Sequence, residues 1–153
     1  MMKKTMMTGL LLLGSAAAFA QMDTVSYAQE RREIKALLHT PGAANGPAGC
    51  NDVVMVGAKG DISFSAQEHR AVQTKEKIIF KSVKPVPGNE IIRVYGGTSA
   101  VVNWLADVQL NVDGRDIALK VRRLEVYVRK AAGWCRVAGQ GTEVDEKMFS
   151  LRP

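Results

Sequence analysis

The chain has 153 residues, 46% of them hydrophobic and 24% charged, with a formal net charge of +6 at pH 7. That is one domain's length, enough to bury a core of its own. Beyond Lys3-Lys4, the charges are mostly interspersed, with basic pairs at Arg31-Arg32 and Arg122-Arg123, and the absence of a basic stripe with interleaved aromatics argues against a nucleic-acid partner.

Residues 1–20 read as a signal peptide. Lys3 and Lys4 give a positive start, and an apolar run follows from Thr8 to Phe19. The run ends in Ala18-Phe19-Ala20, the small-x-small form that signal peptidase accepts, with cleavage expected after Ala20. The alternative is a membrane anchor, but the run is well short of the roughly 20 apolar residues needed to cross a bilayer. A lipid anchor is not expected, since the nearest cysteine is Cys50. The expected location is therefore periplasmic or secreted, with no membrane span after cleavage. Export also argues against a nucleic-acid partner. The folded domain is expected over 21–146, with 147–153 as a tail.

Two cysteines, Cys50 and Cys135, in an exported chain suggest a disulfide. With only His39 and His69 beside them, they are too few for a zinc site, and no metal is expected.

Residues 25–39 show helical periodicity, with Val25, Ala28, Ile34, Leu37 and Leu38 roughly on one face. Pro41-Gly42 stops the helix, and 41–50 is loop by its Pro and Gly content. Val53–Val56 and Ile62–Phe64 read as a short hairpin across an Ala58-Lys59-Gly60-Asp61 turn. Ser65 then caps a helix that runs to about Thr74, with Glu68 completing a capping box.

The C-terminal half reads as a meander of long strands. Residues 78–84 lead through Pro85 and Pro87-Gly88-Asn89 into Ile91–Tyr95, and Gly96-Gly97 turns the chain into Ala100–Val112. Asp113-Gly114 is a two-residue hairpin signal, and Arg115–Arg129 returns. The next turn is expected at Ala132-Gly133, before a last strand over Cys135–Val144. A two-residue turn at Asp113-Gly114 pairs Asp107 with Lys120, Ala106 with Val121 and Val108 with Leu119, so that charge meets charge and apolar meets apolar.

This order of elements resembles the cone-shaped α+β fold of the nuclear-transport-factor-2-like superfamily. Asn51-Asp52-Val53-Val54-Met55-Val56-Gly57-Ala58-Lys59-Gly60 looks like that family's first hairpin, and Ser65-Ala66-Gln67-Glu68 like the start of its middle helix. Arg93-Val94-Tyr95-Gly96-Gly97-Thr98-Ser99-Ala100-Val101-Val102 resembles its central hairpin. Leu124 to Lys130 and Gly133 to Gln140 resemble its last one. The resemblance covers about residues 27–144 and is nearest in style to the SnoaL-like and ketosteroid-isomerase-like proteins of unknown function. The family's second helix is replaced here by PGAANGPAGC, which would leave the mouth of the cone more open or reshaped.

The resemblance implies a curved antiparallel sheet with N-terminal helices on its concave face, and a homodimer formed through the sheet. It also implies that the first hairpin strand runs parallel to the last strand. Cys50 and Cys135 would then lie at the same end of the sheet, bridged or as two buried thiols.

Continuing the expected registers pairs Trp104 with Arg123, Tyr127 with Ala138, Glu125 with Gln140 and Arg123 with Thr142. Trp104, Arg123, Glu125, Tyr127, Gln140 and Thr142 then share one face. That face either lines a pocket for a small apolar or mixed-polarity ligand, or is the convex face, solvated or used in a dimer. Leu124, Val126, Val128, Val137, Gly139 and Gly141 on the other face read as core.

Related enzymes of this fold place an acid or base in the cone beside an enolate- or oxyanion-stabilising donor, without a cofactor. The candidates here each have a structural reading too. His69 reads as a surface histidine, His39 as a helix-end charge, Asp52 as a turn residue, and Asp107 as the partner of Lys120. No nucleophile motif, phosphate loop or metal spacing occurs. The sequence thus supports a binding or interaction module, with a cofactor-independent isomerase, dehydratase or cyclase as the alternative.

Overall fold

The structure is a computed structural model that describes residues 23, 25–40, 49–57 and 60–145. The expected leader, most of the expected loop over 41–50, and the expected tail lie outside the described residues. The order is α1 (Ala28–Leu38), β1 (Gly49–Val56), β2 (Ile62–Ser63), α2 (Ala66–Lys75), β3 (Ile78–Tyr95), β4 (Ser99–Val112), β5 (Arg115–Lys130) and β6 (Gly133–Glu143). The strands form one open sheet in the order β2-β1-β6-β5-β4-β3. Every pairing is antiparallel except β1 with β6, which is parallel as the family resemblance implies. No helix among the described residues is long and apolar enough to cross a membrane.

The β4–β5 hairpin has the expected register, with Asp107 opposite Lys120 and Trp104 opposite Arg123. Asp113 and Gly114 both take positive φ, 47° and 83°, as a tight hairpin turn requires. The Asn111 side chain accepts from Gly114 N at 3.0 Å and helps hold the turn.

β3 is one strand, not two. The proline-rich stretch between Pro85 and Glu90 is absorbed as an irregularity in its ladder with β4. An edge strand tolerates this, because prolines there break no second ladder.

The β5–β6 register differs from expectation by two residues next to the turn and by one beyond a bulge. The turn is Ala131-Ala132, Gly133 opens the strand at φ 113°, and Lys130 pairs with Gly133. A bulge then places Val126 opposite Ala138 but Tyr127 opposite Arg136. Because side chains alternate faces, the one-residue slip beyond the bulge exchanges the two faces of β6 there, while Arg136 keeps its face. Gln140 and Thr142 therefore lie opposite Leu124 and Arg122, not Glu125 and Arg123.

The helices cover the face that carries Glu125. Ile34 and Leu38 of α1 pack with Ala100, Val102, Trp104, Ala106 and Val108 of β4 and with Tyr127 and Trp134. Leu124, expected in the core, is 48% exposed on the outer face. The hydrophobic core thus sits on the side that includes the polar cluster.

α1 is clamped by polar groups as well. Trp134 Nε1 donates to Glu33 at 3.0 Å, and Arg129 pairs with Glu30 at 3.2 Å. Arg31 donates to the Ile92 carbonyl on the edge strand. His39, at the helix end, meets the nearly buried Glu90 at 2.5 Å, so its role there is structural. Ser65 caps α2, accepting from Glu68 N at 3.1 Å, while the Glu68 carboxylate reaches back to Phe64 N.

Cys50 and Cys135 form a disulfide with a Cα separation of 5.4 Å, within the usual range for such a bridge. It ties β1 to β6 where their ladder is irregular, between Gly49 and Val54.

Candidate functional site

The inner face of the sheet is built around one carboxylate. Glu125 sits in β5 between Leu124 and Val126, and its side chain is fully buried. A carboxylate survives burial only if its charge and lone pairs are met. Here five donor contacts meet them. Oε1 accepts from Arg123 Nε at 3.0 Å and Arg136 Nη1 at 2.8 Å, with Arg123 Nη2 also at 2.8 Å. Oε2 accepts from the Tyr127 hydroxyl at 2.6 Å and Trp104 Nε1 at 3.2 Å.

The strands explain how these groups converge. Arg123, Glu125 and Tyr127 follow one another at a spacing of two along β5, so all face inward. Trp104 lies opposite Arg123 on β4, and its ring lies 5.4 Å from the Arg123 guanidinium carbon. Arg136 comes in from β6 through the bulge. Gly139 stands directly opposite Glu125. A Cβ there would lie 3.1 Å from the end of Met55 and 3.6 Å from Cδ of Arg136, so a glycine leaves the path by which Arg136 reaches Glu125.

Burial is the largest influence on Glu125 and pushes its pKa up. The charges of Arg123 and Arg136 and the hydrogen bonds from Tyr127 and Arg136 outweigh it, so the carboxyl lies below its usual range. Tyr127 is pushed up by burial and by the Glu125 charge, and stays a neutral donor. The pair is thus an ionised acceptor and a neutral donor, not an acid and base that exchange a proton near neutrality.

α2 brings a second polar group to this side. His69 is half-buried, and its pKa is lowered by burial, then by the charges of Arg136 and Arg123, against a smaller opposing effect of Asp61. It is therefore neutral at pH 7. Its Nε2 lies 2.9 Å from the amide nitrogen of Gln73. An amide nitrogen only donates, so Nε2 accepts and the ring proton is on Nδ1. That Nδ1 is buried without a hydrogen-bond partner among the described residues, as is Oγ of Ser63.

Trp104, Arg123, Glu125 and Tyr127, expected to share a face, are brought together; Gln140 is exposed on the outer face. Arg136 and His69 are the members that sequence reasoning missed or set aside. Asp52 is exposed, and Asp107 is exposed opposite Lys120. No group of three or more potential metal ligands occurs among the described residues.

No family model matches the sequence, and no curated protein matches it. Solved structures do. An uncharacterized protein with a cystatin-like fold from Caulobacter vibrioides superposes with a TM-score of 0.60 at 18% identity, over 78% of this chain and 93% of that one. An NTF2-like protein of unknown function in nutrient uptake from Rhodospirillum rubrum gives 0.58 at 20% identity, over 77% of this chain and 98% of that one. The CaMKII hub of S. rosetta gives 0.56 at 17% identity, over 78% of this chain and 98% of that one. Likeness at such low identity speaks to architecture alone, and with two helices against one open six-stranded sheet, this chain has the nuclear-transport-factor-2-like α+β fold.

Proposed function

We propose that this chain is an exported, homodimeric binding module that takes a small molecule of mixed polarity on the inner face of its sheet, beside Arg123 and His69. The observation that carries this reading is the buried Nδ1–H of His69, which has no hydrogen-bond partner among the described residues. Buried donors in folded proteins are almost always paired, and a ligand on the inner face would pair this one. Trp104 and the apolar residues around it supply the rest of such a surface.

Export is supported by the Lys3-Lys4 start, the apolar run and Ala18-Phe19-Ala20. The Cys50–Cys135 bridge adds to this, since disulfides persist in oxidising compartments. Dimerisation is supported by the outer face, where a row crosses all six strands through Ile62, Val56, Gln140, Leu124, Asn103 and Ile91.

Binding is favoured over catalysis by the state of the titratable groups. The Glu125 carboxylate is ionised and fully engaged, and His69 holds its proton on the nitrogen that faces no partner. Neither is set up to accept a proton from a substrate.

Native mass spectrometry of protein purified from periplasm, with and without reductant, tests the reading. A small molecule retained at constant stoichiometry on a dimer is the expected result. A bare chain that also fails to stabilise with any ligand would remove the binding reading.

A further inference from the structure

We infer that the molecule bound on the inner face carries a carboxylate, and that Arg123 is the residue that recognises it. The inference rests on the binding reading above and adds the ligand's chemical class.

Glu125 cannot be the ligand's partner, because both of its oxygens are already engaged. Its effect is to hold Arg123. The guanidinium uses Nε and Nη2 on one Glu125 oxygen, at 3.0 and 2.8 Å. Trp104 lies across its face. Two sides of the planar group are therefore fixed, and Nη1 is left with no hydrogen-bond partner among the described residues. Arg123 is also the most accessible member of the cluster, with a side chain 15% exposed against 0% for Glu125 and 6% for Arg136. Across the ladder from it stands Gly141, which contributes no side chain to crowd that edge. A guanidinium pinned on two sides and open on the third loses little entropy when it binds an anion.

Charge points the same way. Arg123 and Arg136 both place positive charge beside Glu125, and His69 is neutral. The groups that face His69 include Asp61, but the two arginines outweigh it. The Nδ1–H of His69 is a further donor on this side. One open guanidinium edge and one imidazole N–H suit a planar monoanion. A phosphate dianion, with three acceptor oxygens, would call for more donors. The Trp104 ring and the half-buried Val121 beside Gly141 suit an apolar body attached to the carboxylate.

Benzoate and benzamide test this, because they share shape and differ in the charge. Calorimetric titration of the disulfide-bonded chain near neutral pH is expected to show benzoate bound at least about tenfold more tightly than benzamide. The Arg123→Gln variant is expected to lose that preference while still binding benzamide. Arg123→Lys, which keeps the charge but not the fork, is expected to fall between them, and it serves if Arg123→Gln melts too low to titrate. Equal binding of the two probes by the wild-type chain overturns the carboxylate assignment and leaves the binding reading intact. A full benzoate preference in Arg123→Gln overturns the role of Arg123. If neither probe binds at about 10 mM, the carboxylate assignment fails, while the molecule retained in native mass spectrometry still decides the binding reading.

Discussion

Tyr127 and Trp104 donate to the same oxygen of Glu125, at 2.6 and 3.2 Å, from adjacent strands. The other oxygen faces two arginines. The cluster therefore has an aromatic side and a cationic side, and Glu125 joins them.

Replacing Glu125 by Gln leaves two guanidiniums close together on a buried face with no charge between them. Breaking a buried ion pair in this way costs about 3–5 kcal/mol. Tyr127→Phe removes one hydrogen bond to a charged acceptor and is expected to cost about 2 kcal/mol. Urea unfolding of the two variants checks the order. A Glu125→Gln protein as stable as the wild type would mean that the arginines have other sufficient partners.

Stability is expected to fall with acid in two windows. The folded chain binds a proton on His69 more weakly than the unfolded chain does. Its contribution is complete above the usual histidine value of 6.5 and is lost as pH falls from there through the lowered folded-state value. Glu125, also lowered, contributes above 4.5 and is lost below that. At the other extreme, Tyr127 is raised above 10.0, so the unfolded chain ionises first and stability falls above that pH. Melting curves from neutral to about pH 5 should decline in the wild type and flatten in His69→Gln. Identical curves for both proteins would remove His69 from this account.

The β4–β5 hairpin was legible in the sequence because its turn leaves no freedom. Asp-Gly at two positive-φ positions fixes the register, and Asp107 opposite Lys120 agrees with it. The β5–β6 hairpin was not, for two local reasons. Gly133 takes its positive φ as the first residue of the strand instead of inside the turn, and Val137 is bulged. The turn shifts the pairing by two residues, which keeps Arg136 on the face of Glu125 but sets it opposite Tyr127, and the bulge then moves Gln140 off that face. The signal that could have found Arg136 is Glu125 itself. An acid flanked by Leu124 and Val126 on a strand next to the last one needs cations, and Arg136 is the one cation of that last strand. The polar face looked like the solvated one because average burial ranks charged residues outside; a cluster whose charges are met reverses that ranking.

The Cys50–Cys135 bridge closes a loop with a sequence separation of 85. In the chain-entropy model such a loop corresponds to roughly 4–5 kcal/mol. Cys50→Ser with Cys135→Ser is expected to lower stability by about 3–4 kcal/mol. The loss should be matched by wild-type protein under reductant. The local consequence is in β1, whose residues between Gly49 and Val54 lack regular pairing to β6. Amide exchange in that stretch should rise first on reduction. Unchanged exchange there would show that burial of Val53 and Met55 alone holds β1 in place.

The outer face makes the last prediction. Leu124 is 48% exposed at the centre of a row that also contains Ile91 and Ile62, exposed by 44% and 56%. The next row carries Val101, Val126, Ala138 and Val54. Exposed apolar residues in single positions are ordinary, but aligned rows across a whole sheet mark an interaction surface. In the dimer proposed above, a two-fold axis would bring this face onto its own copy. Leu124→Lys places a charge at the centre of that contact and touches none of the inner-face residues. It is expected to turn a dimer into a monomer at about 50 μM, with little change in monomer stability, since Leu124 is half-exposed already. Light scattering behind size-exclusion chromatography distinguishes the outcomes. A wild-type chain that elutes as a monomer at that concentration would leave the outer face to a different partner, while a dimer unaffected by Leu124→Lys would move the contact off the sheet.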